Sequence, residues 1–521
     1  MSHPNLRRWY IVLLIAAIVL ALALHFAGPL LGSMVRADTR RFLEMQFRSR
    51  LTFDDFQVAV FPHIQGTMTG IVLRLRDNPD LPPLVEIRKM TIRANLLALL
   101  LPKPHVSLVQ LEGVHLRIPP HMPGAPPLIP PTGENLGAKY PVIISRVEAQ
   151  GLTLETLRSD PAKPSRVFEI HTLILTDAGF DRPSDFHAEL TNPVPRGEIV
   201  ATGLFGPWKA LEPGETPVKA HFTFDRADLG TIKGIQGILS SHGTFEGPLD
   251  YLQVDGETDT PDFALRTASH PVTLHTTYSA IVDGTNGNTY LNKVTANFAS
   301  TEIVCSGQVV GVPGEKGRHI ELSAVSENAR IEDLLRLVVK SGQPLMTGNV
   351  SLKTKILIPP GNEGASGDVE DRMSLDGAFD VVKALFTNPQ TQAKVDSLSR
   401  KALGQPQNEE IDRQVSGLKG AFTMSDAVIS FSDLSFSVEG AAIRLHGTYN
   451  VDSGALDFRG RLLLQAKLLQ TTTGAKSFFL KILDPFFKGK NSGTDLPIKI
   501  TGTKEKPAFG LDFGDPKNPK Q

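Results

Sequence analysis

Gly70-Ile71-Val72-Leu73-Arg74-Leu75-Arg76 carries the reading of the fold. In an extended chain Ile71, Leu73 and Leu75 point one way and Val72, Arg74 and Arg76 the other, the period-two alternation of a strand with one apolar and one wet face. The same alternation sets Val114, Leu116 and Ile118 against His115 and Arg117. From 142 to 330 short alternating runs follow one another, bounded by glycine, as in Gly243-Thr244-Phe245-Glu246-Gly247 and Gly307-Gln308-Val309-Val310-Gly311. Asp283-Gly284, Asn286-Gly287 and Pro313-Gly314 separate such runs with turn chemistry. The last third repeats the pattern at Ile429 and Phe431, then Leu434, Phe436 and Val438, then Ile443 and Leu445, then Leu456 and Phe458. A change of parity at Asp433 predicts a bulge or a turn.

Helical signals are few. Ile331 to Lys340 has apolar residues at Ile331, Leu334, Leu335 and Val338, one helix face; Gln390 to Leu403 is a more polar candidate, and Lys476 to Phe487 an aromatic one that reads as core packing. Leu96 to Leu101, closed by Pro102, is too short to span a membrane and reads as a buried helical turn. Prolines at 119, 120, 123, 126, 127, 130 and 131 favour extended geometry and remove the amides a sheet needs, so 119–141 is expected to be a linker or long loop. The expected division is an anchor and the start of a membrane-proximal helix at 1–35, a β unit at 36–118, the proline-rich segment, a β-meander at 142–330, and a β domain with short helices at 331–521.

At the N-terminus, Trp9 to Phe26 is apolar apart from His25 and long enough to cross a hydrocarbon core of about 30 Å. Trp9, Ile15, Leu20 and Phe26 mark this expected anchor. A cleaved signal peptide is the competing reading, with Arg7-Arg8 as its basic start and Ala21-Leu22-Ala23 as the cut; its apolar run exceeds the usual ~7–15 residues and the cut falls inside it. Two arginines precede the span and Arg36, Arg40, Arg41, Arg48 and Arg50 follow it, which by positive-inside counting places the body in the cytoplasm. Long domains cross largely regardless of charge, and the basic stretch also fits an amphipathic helix on anionic headgroups, so the residues leave the side open.

The formal net charge of −1 gives no field for nucleic acid. A single cysteine, Cys305, excludes an internal disulfide and any multi-cysteine metal site; in Ile303-Val304-Cys305 it reads as a small buried hydrophobe. The chain has no G-x-S-x-G elbow, Walker A loop, H-E-x-x-H or C-x-x-C. His270 and His275 lie near Asp283, but odd spacing puts the two histidines on opposite faces of a continuous strand. Asp283 to Asn288 is oxygen-rich like a calcium loop, lacks the closing glutamate, and reads as a tight turn with two glycines at positive φ. Trp208, after Gly206-Pro207, reads as a loop anchor. No catalytic residue, cofactor or metal is expected.

An alternating sheet has one apolar face, and few helices are available to cover it. Two such sheets facing each other make a dry sandwich, whereas one sheet curled into a trough needs an apolar guest. Roughly 25 strands at ~4.8 Å would reach on the order of 120 Å. Alternation alone does not choose between them.

The arrangement resembles the AsmA-like family. Leu51-Thr52-Phe53-Asp54-Asp55-Phe56-Gln57-Val58-Ala59-Val60-Phe61-Pro62 followed by Gly70-Ile71-Val72-Leu73, then Leu84 to Ile92 and Val109 to Leu116, look like that family's opening strands. Leu418-Lys419-Gly420-Ala421-Phe422 through Leu445-His446-Gly447-Thr448-Tyr449, and Leu496 to Thr503 with Pro507-Ala508-Phe509, look like its C-terminal domain. The resemblance implies a mainly β protein: an N-terminal transmembrane helix, then a long curved antiparallel β-sheet forming a groove, with a few short helices. It further implies a single-pass inner-membrane protein with a periplasmic body, holding phospholipid or another acyl lipid in envelope lipid transport and outer-membrane biogenesis. A non-enzymatic assembly factor that binds outer-membrane or envelope proteins through strand edges is the alternative. The expected acyl-facing positions are Ile71, Leu73, Leu75, Ile429, Phe431, Ile443, Leu445, Leu456 and Phe458.

Overall fold

The computed structural model describes residues 49–59, 64–75, 82–83, 85–95, 98, 105–118, 143–156, 166–179, 182–207, 209, 213–232, 234–266, 270–312, 315, 317–338, 344–361, 372–403, 416–451, 453–464, 494–503 and 506–512. Among them the protein is mainly β, with 25 strands hydrogen-bonded in one sheet. The strands are β1 (Ser49–Thr52), β2 (Asp55–Ala59), β3 (Ile64–Leu75), β4 (Val85–Ala94), β5 (His105–Ile118), β6 (Ile143–Thr156), β7 (Arg166–Ala178), β8 (Ser184–Pro193), β9 (Arg196–Phe205), β10 (Pro217–Asp228), β11 (Ile235–Gln236), β12 (Ile238–Pro248) and β13 (Leu252–Leu265). They continue as β14 (Val272–Val282), β15 (Thr289–Phe298), β16 (Thr301–Val310), β17 (His319–Arg330), β18 (Met346–Ile358), β19 (Ser374–Phe386), β20 (Ser416–Ser425), β21 (Val428–Val438), β22 (Ala441–Asn450), β23 (Ala455–Leu464), β24 (Thr494–Thr503) and β25 (Pro507–Leu511). Two helices, α1 (Ile331–Val338) and α2 (Pro389–Ala402), stand where the helical spacing predicts them.

The chain forms two compact units, one of Met1–Ile232, Ile238–Thr260 and Thr277–Thr289, the other of Lys233–Gly237, Pro261–Thr276 and Tyr290–Gln521. In the first, β1 and β2 both pair with β3, and pairing runs on from β3 to β10 in chain order. One pair departs from the expected antiparallel sheet, because β5 and β6 run parallel from His105↔Ile143 to Ile118↔Thr156. A parallel pair requires a crossover of a dozen or more residues, and the proline-rich stretch is long enough to supply it. That stretch, expected to separate two domains, joins hydrogen-bonded neighbours within one unit.

The apolar face of β3 to β6 is sealed. Ile71, Leu73, Val85, Val106 and Leu116 are all 0% exposed. Strict alternation does not produce this face: Met68 and Ile71, Leu111 and Val114, and Ala149 and Leu152 are buried pairs three residues apart, which regular strands would place on opposite sides. Gly70, Gly113 and Gly151, with φ of +60°, +61° and +61°, sit inside those intervals. They line up across the sheet, since Glu112↔Gln150 and Val114↔Leu152 flank Gly113 and Gly151 as Thr69↔Lys89 and Ile71↔Ile87 flank Gly70. Each left-handed residue shifts the phase by one and returns the apolar side chains to the same face.

In the second unit each strand from β16 to β25 pairs antiparallel with the next. The parity change at Asp433 is a bulge: Phe431↔Gly447 is followed by Leu434↔Leu445, one residue more on β21 than on β22. Similar shifts at Ser326/Ala329 in β17 and Val381/Ala384 in β19 leave Ala329 0% and Ala384 1% exposed, and the chain turns into α1 and α2 soon afterwards.

The expected anchor, Trp9 to Phe26, and the helical candidate Lys476 to Phe487 lie outside the described residues. Among the described residues no helix is long and apolar enough to cross a membrane.

The glycine row makes a graded prediction. A Cβ at Gly151 meets nothing within 4 Å, whereas one at Gly113 sits 3.1 Å from Arg88 Cβ. Gly151→Ala should cost about 1–2 kcal/mol from backbone conformation alone, and Gly113→Ala more. Urea unfolding of the two variants checks the order; equal midpoints, or a larger loss in Gly151→Ala, would contradict it.

Candidate functional site

The apolar face of the second unit is built by cross-strand registers that keep like residues in line. One row reads Gly377↔Phe422↔Phe431↔Gly447↔Phe458↔Ile500 from β19 to β24. Its neighbours read Phe379↔Gly420↔Leu434↔Leu445↔Gly460↔Ile498, and Leu375↔Met424↔Ile429↔Tyr449↔Leu456. The opposite face carries Asp380↔Lys419↔Ser435↔Arg444↔Arg461, with Arg461 held 2.7 Å from Asp495. Large side chains stand opposite glycines, so rings lean into the spaces left for them. Ring centroids of Phe379–Phe422, Phe422–Phe431 and Phe431–Phe458 are 6.2, 6.4 and 5.7 Å apart, all tilted, within the range of favourable aromatic contact.

Among the described residues, helices cover one end of the strands. Ile331 and Leu334 of α1 pack on Ala329, Val350, Val381 and Ala384, beside Phe379 and Leu418. Val395, Leu398 and Ala402 of α2 pack with Phe386, Phe436, Val438, Ala441 and Leu464. Polar contacts fix the same end: Gln392 Oε1 accepts from Phe386 N at 2.9 Å, Ser399 Oγ donates to the Glu439 carbonyl at 2.8 Å, and Asp333 accepts from Ser300 N and Thr301 Oγ1. Away from the helices, Leu375, Phe422, Ile429, Phe431, Leu445, Tyr449 and Leu456 are all only half-buried.

The expected acyl-facing positions therefore divide. Ile71 and Leu73 are sealed core residues, a correction that follows from the closed packing of β3 to β6; Leu75 pairs through its backbone with Ser49, and its side chain lies outside the described residues. Ile429, Phe431, Ile443, Leu445 and Leu456 are half-buried on the second unit's face, and Phe458 is 7% exposed beneath the Phe431 ring. The sequence reading missed Leu375 and Phe379, although Ser374-Leu375-Asp376-Gly377-Ala378-Phe379-Asp380 alternates as cleanly as the stretches it used.

The chemical candidates resolve into structure. Asp283 closes the turn between β14 and β15: its carboxylate accepts from Thr285 N at 2.9 Å and from the Asn286 amide, and its carbonyl accepts from Gly287 N at 2.6 Å. Only Gly287 of the two glycines has positive φ, +75°. Gly284 is small for another reason, since a Cβ there would sit 2.8 Å from the Leu249 carbonyl oxygen. His275 lies in β14 and His270 just before it, and among the described residues no group of three or more His, Cys, Asp or Glu is placed to hold a metal. Trp208 lies outside the described residues. Cys305 is half-buried rather than fully buried, pairs with Ala324, and has its thiol pKa pushed up by burial.

No family model matches this chain, and no curated protein or solved structure matches it either.

Because burial penalises the thiolate, alkylation of Cys305 depends on pH in a defined direction. The thiol ionises at higher pH than a free thiol, so its reaction with iodoacetamide should be slower than that of a free thiol at about pH 8.5, and the midpoint of its pH–rate profile should lie higher. A pH–rate midpoint at or below that of a free thiol would contradict the burial of the Cys305 sulfur.

Proposed function

We propose that this chain is a membrane-tethered, non-enzymatic carrier of acyl lipids, anchored through Trp9 to Phe26 in the inner membrane. Its body stands in the periplasm, and its second unit shields acyl chains during envelope lipid transport. One observation carries the reading: among the described residues, the continuous apolar face of β19 to β24, with its aromatic centre, has helical cover at one end and is half-buried beyond it. A soluble surface seldom leaves an apolar patch of more than a few hundred Å² without a ligand or partner. Acyl chains suit this face because it is broad, almost without polar groups, and built of side chains that make no directional demand. The likeness of its strand and glycine patterns to the AsmA-like family points the same way and supports the periplasmic side, against the count of flanking arginines.

The test uses the full chain, purified from membranes and extracted for lipid. Phe431→Asp places a charge in the middle of the aromatic row and should lower co-purifying lipid about tenfold or more, the order expected from desolvating an unpaired carboxylate. His446→Asp, exposed on the wet face and facing Arg459, should leave it unchanged. Lipid-free wild-type protein, or equal lipid in both variants with matched circular dichroism, would overturn the proposal. A cysteine placed at residue 130 in a Cys305-free background should react with a membrane-impermeant thiol reagent in intact spheroplasts. Labelling only after lysis would place the body in the cytoplasm.

A further inference from the structure

We propose that a cleft at the strand ends of the first unit, on the charged side of the sheet, binds an alkylammonium: a positively charged nitrogen carried on an apolar stem. The cleft has a volume of about 730 Å³, within the roughly 300–1,000 Å³ typical of ligand sites. Its floor is apolar, formed by Leu204 near the end of β9 with Pro183, Pro217 and Pro248. Leu204 stands in a cross-strand row of charged residues, Asp185↔Leu204↔Lys219↔Glu246, and is 44% exposed. A ligand that covers this leucine gains by removing its apolar surface from water.

The walls set the sign of the ligand's charge. Lys209 is held by Glu215 at 3.1 Å and Lys219 by Glu246 at 2.8 Å, so these two amines at the cleft already have carboxylate partners. Asp250 also lines the cleft, and its exposed carboxylate has no ion pair or hydrogen bond among the described residues. Backbone contacts fix its position: Asp250 N donates to the Gly214 carbonyl at 2.9 Å and Leu249 N to the Thr216 carbonyl at 3.1 Å, tying the turn after β12 to the loop before β10. Gly214 leaves room for the carboxylate, since a Cβ there would sit 2.9 Å from its Oδ2. The surroundings have the same sign. Residues 183–262 hold thirteen Asp and Glu against five Lys and Arg in a chain of formal net charge −1, so the field over the cleft repels anions and draws cations.

A local reporter on the full chain in nanodiscs tests this. Tyr251→Cys in a Cys305→Ser background places a fluorine-labelled thiol beside Asp250, and its resonance is followed as hexylammonium, hexanol or hexanoate is added. Hexylammonium should bind saturably, hexanol more weakly and hexanoate most weakly. Asp250→Asn should weaken hexylammonium about threefold to fivefold, the range of an exposed ion pair, and leave hexanol unchanged, whereas Leu204→Ser should weaken both. Leu204 and Asp250 are exposed, so both variants should keep the circular dichroism of the parent. Hexanoate binding as tightly as hexylammonium, an unchanged hexylammonium affinity in Asp250→Asn, or no saturable shift with hexylammonium would overturn the proposal. A lysine side chain presents the same group: Nα-acetyl-lysine methylamide binding more tightly than hexylammonium would assign the site to a partner polypeptide, and the reverse order to a free amine.

Discussion

Burial of one apolar sheet face is the constraint on which the rest of the molecule depends. Each strand supplies a row of branched and aromatic side chains to one side and charged or hydroxyl groups to the other, and the hydrophobic effect requires the apolar side to leave water. The two units meet this differently. In the first, the face of β3 to β6 is closed to the point that its central residues have no accessible surface. In the second, two short helices close one end and the remainder is half-buried by the leaning of phenylalanine rings into glycine sites.

Departures from ideal strands are what let the face stay continuous. The left-handed glycines at 70, 113 and 151 restore phase across neighbouring strands, so that one residue too many per strand does not throw half of each strand to the wrong side. The bulges in β17 and β19 act differently: each ends in a buried alanine small enough to let a helix approach the sheet. Gly460 belongs with these features, because a methyl there would collide with the Arg444 carbonyl oxygen of the neighbouring strand. Sheets that must bend tolerate side chains badly at such points.

The wet face spends its charges on itself. Lys89 meets Glu112 at 3.0 Å, Arg117 meets Glu86 at 3.0 Å, and His115 Nε2 lies 2.9 Å from Glu155. The Lys89–Glu112 pair, the most open of the three, adds little to stability, while the other two are more shielded. All three keep the outer surface well solvated and strand neighbours in register. In the second unit the aromatic row, by contrast, remains only half-buried among the described residues.

The sequence by itself determined the element type, the two helices, the bulge at Asp433 and the tight turn at Asp283, because each depends on residues within a few positions: alternation, helical spacing, a parity break, an aspartate followed by glycine. It also named most of the half-buried face, Ile429, Phe431, Ile443, Leu445 and Leu456. It misjudged Ile71 and Leu73, because alternation says which side a residue faces and not whether that side is closed. The parallel pairing of β5 with β6 was beyond it too, since strand direction depends on where a long connection delivers the chain. Which side chains meet across strands and which end of the face the helices cover were decided only by the tertiary structure, because register and cover are set by contacts between residues far apart in the chain.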